Sequence, residues 1–150
     1  MVVSFLGHRF LYDFEELFEK VEKTIIENVD FDDKIVFFCG GYGDFDDLCA
    51  RVCRAIKEKL KKCEIVFVTP YMSSTQQEKM KSWIDLGLYD SIIYPPLEQV
   101  PLKFAIIKRN EWMIEQSDLI IAYVKHSFGG AYQSLKYAQR KGKRTVNLAE

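Results

Sequence analysis

Short apolar runs alternate with longer amphipathic segments along the chain. Runs that are apolar throughout are typical of strands buried on both faces of a sheet, and the segments between them have the three- and four-residue spacing of helices. The apolar runs cover residues 2–6, 34–38, 64–68, 91–94, 118–124 and 144–148. This alternation predicts one α/β domain over residues 1–150, with a doubly wound, mostly parallel sheet of five to six strands and helices on both faces.

The helical segments have recognisable starts. Asp13 is the predicted cap of a first helix that continues to about Val29. Further helices are expected over residues 48–60, with a charged solvent face that includes Lys61, over residues 76–85 and 100–117, and after Gly130.

The unusual residues of the chain fall in the loops that follow the strands. In a doubly wound sheet, ligands bind beyond the carboxyl ends of the strands, near the point where the strand order reverses. The loops at those ends are residues 7–9, 40–46, 69–71, 94–96 and 125–130.

The loop Gly40-Gly41-Tyr42-Gly43 lies between an apolar strand and a helix. Its glycines allow positive φ and close approach of backbone N–H groups, and the helix dipole favours an anion, so the loop is a candidate phosphate cradle. The alternative is a tight turn in which Asp44 or Asp46 caps the helix. The loop matches neither the dinucleotide-binding fingerprint nor the P-loop, and we expect no cofactor.

Arg109 interrupts an otherwise apolar helix face. A buried guanidinium needs a partner, so we expect a carboxylate such as Asp46 or a ligand phosphate to meet it, unless the side chain extends past its neighbours to water. Asn110, which follows it, could order a loop or touch a ligand.

Three further loops supply candidate ligand-binding residues. Ser127, Gly129 and Gly130 repeat the arrangement of glycines before a helix and could bind a second phosphate. Gly7, His8 and Arg9 end the first strand, where an anion could pair with His8. Thr69, Pro70 and Tyr71 offer a hydroxyl and an aromatic face, which suit a sugar or base as well as a rigid turn.

Composition narrows the classes of function. The 21 basic and 22 acidic residues nearly cancel to a net charge of −1, so we do not expect nucleic acid as a partner. The four cysteines and two histidines lack zinc-site spacing, and we expect no metal. Neither a leader nor a membrane span is evident, which favours a cytoplasmic protein, and an aromatic content of 14% leaves room for a homo-oligomer.

Taken in order, these motifs resemble the YpsA-like family of the Rossmann-type SLOG superfamily. The resemblance covers nearly the whole chain and rests on residues 7–9, residues 40–43 with Asp46, residues 69–71, residues 108–110 and residues 129–130. It implies a Rossmann-like fold that binds a small nucleotide or nucleotide-derived ligand at the glycine loops, as a sensor or regulatory module.

The lonely-guy enzymes of the same superfamily suggest a different function. Their P-G-G-x-G-T-x-x-E motif is similar to the stretch from Gly40 onward, with Asp47 at the place of the glutamate. The resemblance implies an alternative activity, the cleavage of a nucleoside monophosphate by an N-glycosidase in which Asp46 or Asp47 stabilises charge at the sugar. A third hypothesis is a scaffold that binds a protein or single-stranded nucleic acid, as the distant likeness to DprA allows.

Overall fold

A computed structural model describes residues 1–60 and 62–150; Lys61, expected on the solvent face of the second helix, lies outside the described residues. The strands are β1 (Val2–Gly7), β2 (Ile35–Cys39), β3 (Cys63–Val68), β4 (Ser91–Ile93), β5 (Leu119–Tyr123) and β6 (Thr145–Asn147). The helices are α1 (Phe14–Asn28), α2 (Asp44–Lys59), α3 (Ser74–Asp85), α4 (Ala105–Gln116), which follows a 3-10 turn at Leu102–Phe104, and α5 (Gly130–Arg140).

The six strands form one sheet in the order β4-β3-β2-β1-β5-β6, and every neighbouring pair is parallel. The predicted doubly wound α/β fold is confirmed, and it is Rossmann-like. The chain builds the sheet outward from β1 to β4, crosses back, and continues on the other side of β1 with β5 and β6. The strand order therefore reverses between β1 and β5, which is the switch point where such sheets open a crevice.

Side chains of the central strands alternate between two cores. Val3 and Phe5 of β1 pack with α1 and α2 on one face, where Phe45 is fully buried. Leu6 packs with Ile120 and with α4 and α5 on the other face. This alternation follows from the period of two in a strand, and it explains why the strands are apolar throughout.

Within the described residues, no helix is both long and apolar enough to cross a membrane. The thiols of the four cysteines are free and buried.

Candidate functional site

A cavity of about 370 Å³ opens at the switch point between β1 and β5. Its walls come from the end of β1, the start of α2, the inner face of α4, the loop after β5 and the start of α5. The predicted site residues that line it are Gly7, His8, Arg9, Tyr42, Asp46, Arg109, Asn110, Gly129 and Gly130. Four separate parts of the sequence, residues 5–9, 42–46, 106–110 and 126–134, thus meet at one cavity.

Arg109 is the most buried charged group of this site, with a relative exposure of 2%. Its Nη1 donates to the carbonyl oxygens of Gly40 (3.0 Å) and Val68 (2.7 Å). Its Nε donates to Oδ1 of Asn110 at 2.9 Å. The expected partner was a carboxylate or a phosphate; the structure supplies carbonyl and amide oxygens, which accept the N–H groups without cancelling the charge. Arg109 lines the cavity, and within the described residues its Nη2 makes no hydrogen bond.

The guanidinium also faces an aromatic ring and a carboxyl group. Its central carbon lies 5.3 Å from the ring centroid of Tyr42. Burial lowers the pKa of Arg109 from its ordinary value, while the charge of Asp46 acts against this shift. A Cβ on residue 40 would lie 3.1 Å from both Nη2 of Arg109 and Oδ2 of Asp46. Glycine at this position therefore leaves the space beside the two charged groups free.

Asp46 and Asp47 face different surroundings. Asp46 lines the cavity, and its Oδ2 accepts the backbone N–H of Tyr42 at 2.9 Å. Burial raises the pKa of the Asp46 carboxyl above its ordinary value, and Arg109 opposes this rise. Asp47, at the position of the lonely-guy glutamate, is exposed and does not line the cavity.

The start of α2 is closed by the chain itself. The N–H groups of Asp44 and Phe45 donate to the carbonyl oxygens of Arg9 (2.8 Å) and His8 (3.4 Å). In return Oδ2 of Asp44 accepts the N–H of Leu11 at 3.0 Å. The start of α2 is thus hydrogen-bonded to the loop after β1. The N–H groups of Asp44 and Phe45 are therefore not available to the phosphate that the sequence analysis predicted at this loop.

The start of α5 is open instead. Gly129 caps it with φ 89°, and no atom lies within 4 Å of a Cβ built on Gly129 or Gly130. The first turn holds no acidic residue. Within the described residues, the N–H groups of Gly130, Ala131 and Tyr132 make no hydrogen bond, as expected for the first turn of a helix without a side-chain cap. Gly130 and Ala131 line the cavity, so this start faces a space that an anion can enter.

Two histidines border the cavity. Nε2 of His8 accepts the backbone N–H of Lys125 at 2.8 Å, and its ring centroid lies 4.7 Å from that of His126. Burial, together with the charges of His126 and Lys125, lowers the pKa of His8. His126 stacks on the exposed ring of Phe128, with centroids 5.2 Å apart. The mouth of the cavity therefore presents a flat aromatic surface.

Several predicted residues lie outside the cavity lining, namely Gly40, Gly41, Gly43, Asp44, Thr69, Pro70, Tyr71 and Ser127. Thr69 forms a local turn in which its Oγ1 donates to the carbonyl oxygen of Tyr71 at 2.7 Å. The ring of Tyr71 meets Tyr42 edge to face at 6.1 Å. Gly40, through its carbonyl oxygen, and Tyr71, through its ring, therefore contact the lining residues Arg109 and Tyr42 from outside the cavity.

Seven lining residues were not among the predicted site residues: Phe5, Leu6, Ile106, His126, Phe128, Ala131 and Ser134. His126 lies in a loop that the strand pattern had marked, and Ser134 follows Gly130 by one helical turn on α5. Within the described part of the chain, no group of three or more His, Cys, Asp or Glu side chains is arranged to hold a metal ion.

No protein-family model matches the chain. No curated protein matches it either. Solved structures do resemble it. DNA processing protein A (DprA) from Streptococcus pneumoniae matches with a TM-score of 0.64 and 16% identity, over 95% of this chain and 48% of that one. DprA from Helicobacter pylori, described for its mode of binding single-stranded DNA, matches with a TM-score of 0.64 and 19% identity, over 100% of this chain and 67% of that one.

A structural-genomics target, TM1055, matches with a TM-score of 0.58 and 12% identity, over 96% of this chain and 71% of that one. At these identities the likeness establishes a shared fold. The chain spans about half the length of the first DprA protein and about two thirds of the second.

The comparisons correct one prediction. Net charge led us not to expect nucleic acid as a partner, yet a protein with this fold is described as binding single-stranded DNA. The prediction was wrong because net charge says nothing about how charge is distributed over the surface.

Proposed function

We propose that the chain binds a nucleotide-type ligand, a phosphate joined to a sugar and base, in the switch-point cavity. The observation that carries the proposal is Arg109, a buried cation whose hydrogen-bond partners are neutral oxygens and whose Nη2 is left for a further acceptor. Burying a charge is costly, and the nearby Asp46 carboxyl offsets the charge of Arg109 only while it is ionised. A buried guanidinium whose hydrogen bonds go to neutral oxygens beside a cavity therefore favours an anionic occupant.

The phosphate is best placed between Arg109 and the start of α5. A guanidinium donates to phosphate oxygens in a fixed fork, and the free N–H groups of Gly130 and Ala131 add donors and the positive end of a helix dipole. Asn110 lines the same cavity and can donate through its amide nitrogen, since its Oδ1 is taken by Arg109. Arg9 adds a second cation at the rim.

A base or sugar fits the remaining space. Ligand pockets commonly measure about 300–1,000 Å³, so a cavity of about 370 Å³ suits a mononucleotide better than a dinucleotide. The ring of Tyr42 lies on one side of the cavity and the stacked rings of His126 and Phe128 lie at the mouth. These rings can stack on a planar base.

We propose that this binding serves a sensor or regulatory role, as the resemblance to the YpsA-like family implies. The N-glycosidase alternative has weaker support, because Asp47, at the glutamate position, is exposed and outside the cavity. In an N-glycosidase, Asp46 would have to stabilise the charge at the sugar without a contribution from Asp47.

Single-stranded nucleic acid is the second candidate ligand. It is favoured by the likeness to DprA, one example of which is described for binding single-stranded DNA. It is also favoured by the exposure of Phe128 (72%), because sequence-tolerant single-strand binding relies on exposed aromatic rings beside cations. Both candidates place a phosphate in the same position.

The start of α5 offers a matched pair of variants to test the proposal. Gly130 is the first residue of the helix, where proline is tolerated but has no N–H to donate. Gly130→Ala keeps the N–H, and its Cβ meets no atom within 4 Å. Affinity for nucleoside monophosphates, cyclic nucleotides and ADP-ribose is measured by calorimetry for both variants and the unmodified protein.

We expect at least one mononucleotide to bind, Gly130→Ala to bind it normally, and Gly130→Pro to bind it about tenfold or more weakly. Loss of a hydrogen bond to a charged group costs about 1.5–3 kcal/mol. Absence of binding by every compound to the folded protein, or equal affinity of the two variants, would overturn the proposal.

A further inference from the structure

We infer that the groove between α4 and α5 is a second subsite, which binds a more distant phosphate of a single-stranded nucleotide chain whose first phosphate occupies the switch-point cavity. The inference rests on the function proposed above and extends it from a mononucleotide to an oligonucleotide. The groove encloses about 370 Å³ and is lined by Ile107 and Glu111 of α4 and by Tyr132, Lys136, Tyr137 and Arg140 of α5.

The groove continues the cavity. Gly130 and Ser134, one turn apart on α5, line both spaces. Helix α5 is thus a common wall, with its open start in the cavity and its basic face in the groove. A chain leaving the cavity past Gly130 enters the groove directly.

Positive charge is concentrated on this side of the molecule. Residues 129–144 contain no acidic residue and the basic residues Lys136, Arg140, Lys141, Lys143 and Arg144. Lys143 is held by the carbonyl oxygens of Glu115 and Ser117, and Arg144 by the side chain of Asn28. Lys136 and Arg140 line the groove and are exposed.

The acidic residues near the groove already have partners. Glu111 pairs with Lys108 at 3.1 Å. Glu115 accepts the hydroxyl of Tyr137 and lies 4.0 Å from Lys141. Within the described residues, neither Lys136 nor Arg140 forms an ion pair with these carboxylates.

Each of those two cations lies over an aromatic ring. Nζ of Lys136 is 5.3 Å from the ring centroid of Tyr132, and the guanidinium carbon of Arg140 is 5.8 Å from that of Tyr137. Cations interleaved with aromatic rings are the arrangement that single-strand binding uses, with phosphate on the cation and base on the ring.

The spacing favours a phosphodiester chain over a compact ligand. At a rise of about 1.5 Å per residue, Lys136 and Arg140 lie roughly 9 and 15 Å along α5 from Gly130. One phosphate, or two joined as a pyrophosphate, cannot contact Gly130 and Arg140 together. Successive phosphates of a strand can.

The test compares charge reversal in the groove with the same reversal elsewhere. Arg140→Glu alters the groove, while Lys59→Glu changes an exposed lysine at the end of α2 by the same charge. Binding of a single-stranded oligothymidylate of about ten residues is followed by fluorescence anisotropy, and binding of thymidine monophosphate and ADP-ribose by calorimetry.

We expect the oligonucleotide to bind more tightly than the mononucleotide, and Arg140→Glu to weaken the oligonucleotide about tenfold or more at low salt. We expect Arg140→Glu to change the affinities for the two small ligands by less than about twofold. Lys59→Glu should leave the affinities for all three ligands unchanged.

Two results would overturn the inference: oligonucleotide affinity that does not respond to Arg140→Glu, or an equal loss for oligonucleotide and mononucleotide. A different result would reject the proposed function without rejecting the phosphate site in the groove. Oligonucleotide binding that depends on Arg140 but is the same in Gly130→Pro and Gly130→Ala would retain the groove as a phosphate site and reject the cavity.

Discussion

The partners of Arg109 determine what its charge can do. A carboxylate at this position would satisfy the guanidinium and also neutralise it. The carbonyl oxygens of Gly40 and Val68 satisfy Nη1 and leave the positive charge in place. Asp46 lines the same cavity without being the hydrogen-bond partner of Arg109, so its protonation state sets the net charge that an incoming anion meets.

Asp46 therefore makes anion binding depend on pH. Burial raises its pKa above the ordinary value of 3.8, and a bound phosphate would raise it further, so binding is favoured while Asp46 is protonated. We expect nucleotide affinity to fall as the pH rises through this raised pKa. Asp46→Asn should bind more tightly at neutral pH, with a ratio of affinities to the unmodified protein that shrinks on acidification, measured by calorimetry across pH.

His8 also gains charge on acidification, but it does so in both proteins, so the ratio isolates Asp46. The stability of the protein changes with pH in the same direction as its affinity. The folded state takes up the Asp46 proton at higher pH than the unfolded chain, so the free energy of unfolding falls as the pH rises through that window, and Asp46→Asn lacks this component. A ratio that does not change with pH would contradict the assignment.

At the scale of elements, the loop after β1 and the start of α2 form one unit. Gly43 is required there for two reasons: its φ is 141°, and a Cβ would lie 2.8 Å from the Cα of Arg9. Gly142 also has positive φ, at 67°, but no atom lies within 4 Å of its Cβ position. The two glycines therefore differ both in steric contact and in backbone conformation, because Gly43, at φ 141° and ψ 176°, lies in a region essentially restricted to glycine.

We expect Gly142→Ala to lower the free energy of unfolding by about 1–2 kcal/mol, because L-residues are disfavoured at positive φ. Gly43→Ala should cost more, and it should also weaken ligand binding because it displaces His8 and Arg9 from the cavity wall. Urea denaturation measures the first effect and calorimetry the second. Equal losses of stability in both variants would contradict the extra cost assigned to the contact with Arg9 and to the backbone conformation at Gly43.

The strands and the site loops could be predicted from the sequence because their signals are local. Buried runs such as residues 118–124 and glycines before a helix are visible in a short window. The caps were not predictable. Asp13 forms no side-chain cap bond. Helix α2 begins after Gly43, and neither Asp44 nor Asp46 caps it; carbonyl oxygens of residues 8 and 9 accept its first two N–H groups instead.

Contacts between distant segments explain the other differences. That Arg109 must be buried and partnered follows from its helix face, but its partners lie 69 and 41 residues away. The choice between Asp46 and Asp47 depends on how α2 is rotated about its axis, and the spacing of the glycines does not fix that rotation. Helix α4 begins at Ala105 after a 3-10 turn, later than the predicted start near residue 100.

At the scale of the whole molecule, a net charge of −1 hides a strongly uneven distribution. Acidic residues are frequent in the first turns of α1 and α2, whereas residues 129–144 carry only positive charge. An anionic chain is therefore attracted to one side of the protein although the protein as a whole is weakly acidic.

The number of cations along the cavity and groove limits how strongly salt can act. Arg9, Arg109, Lys136 and Arg140 can neutralise up to four phosphates, which for a single strand gives a slope of log affinity against log salt of about −3. Anisotropy titrations with the oligothymidylate between about 50 and 200 mM salt check this value. A slope near zero would exclude phosphate contacts, and one much steeper than about −5 would require a binding surface elsewhere.

The position of β1 in the sheet has a consequence for synthesis on the ribosome. β1 pairs with β2 on one side and on the other with β5, so that Val3 lies beside Leu119. Until residues 119–123 have left the ribosome, β1 can be only the open edge of a growing sheet, with unpaired backbone groups that other chains could join. The cavity forms later still, when α5 reaches its place, so the proposed nucleotide ligand could stabilise only a nascent chain in which β1 is already paired on both sides.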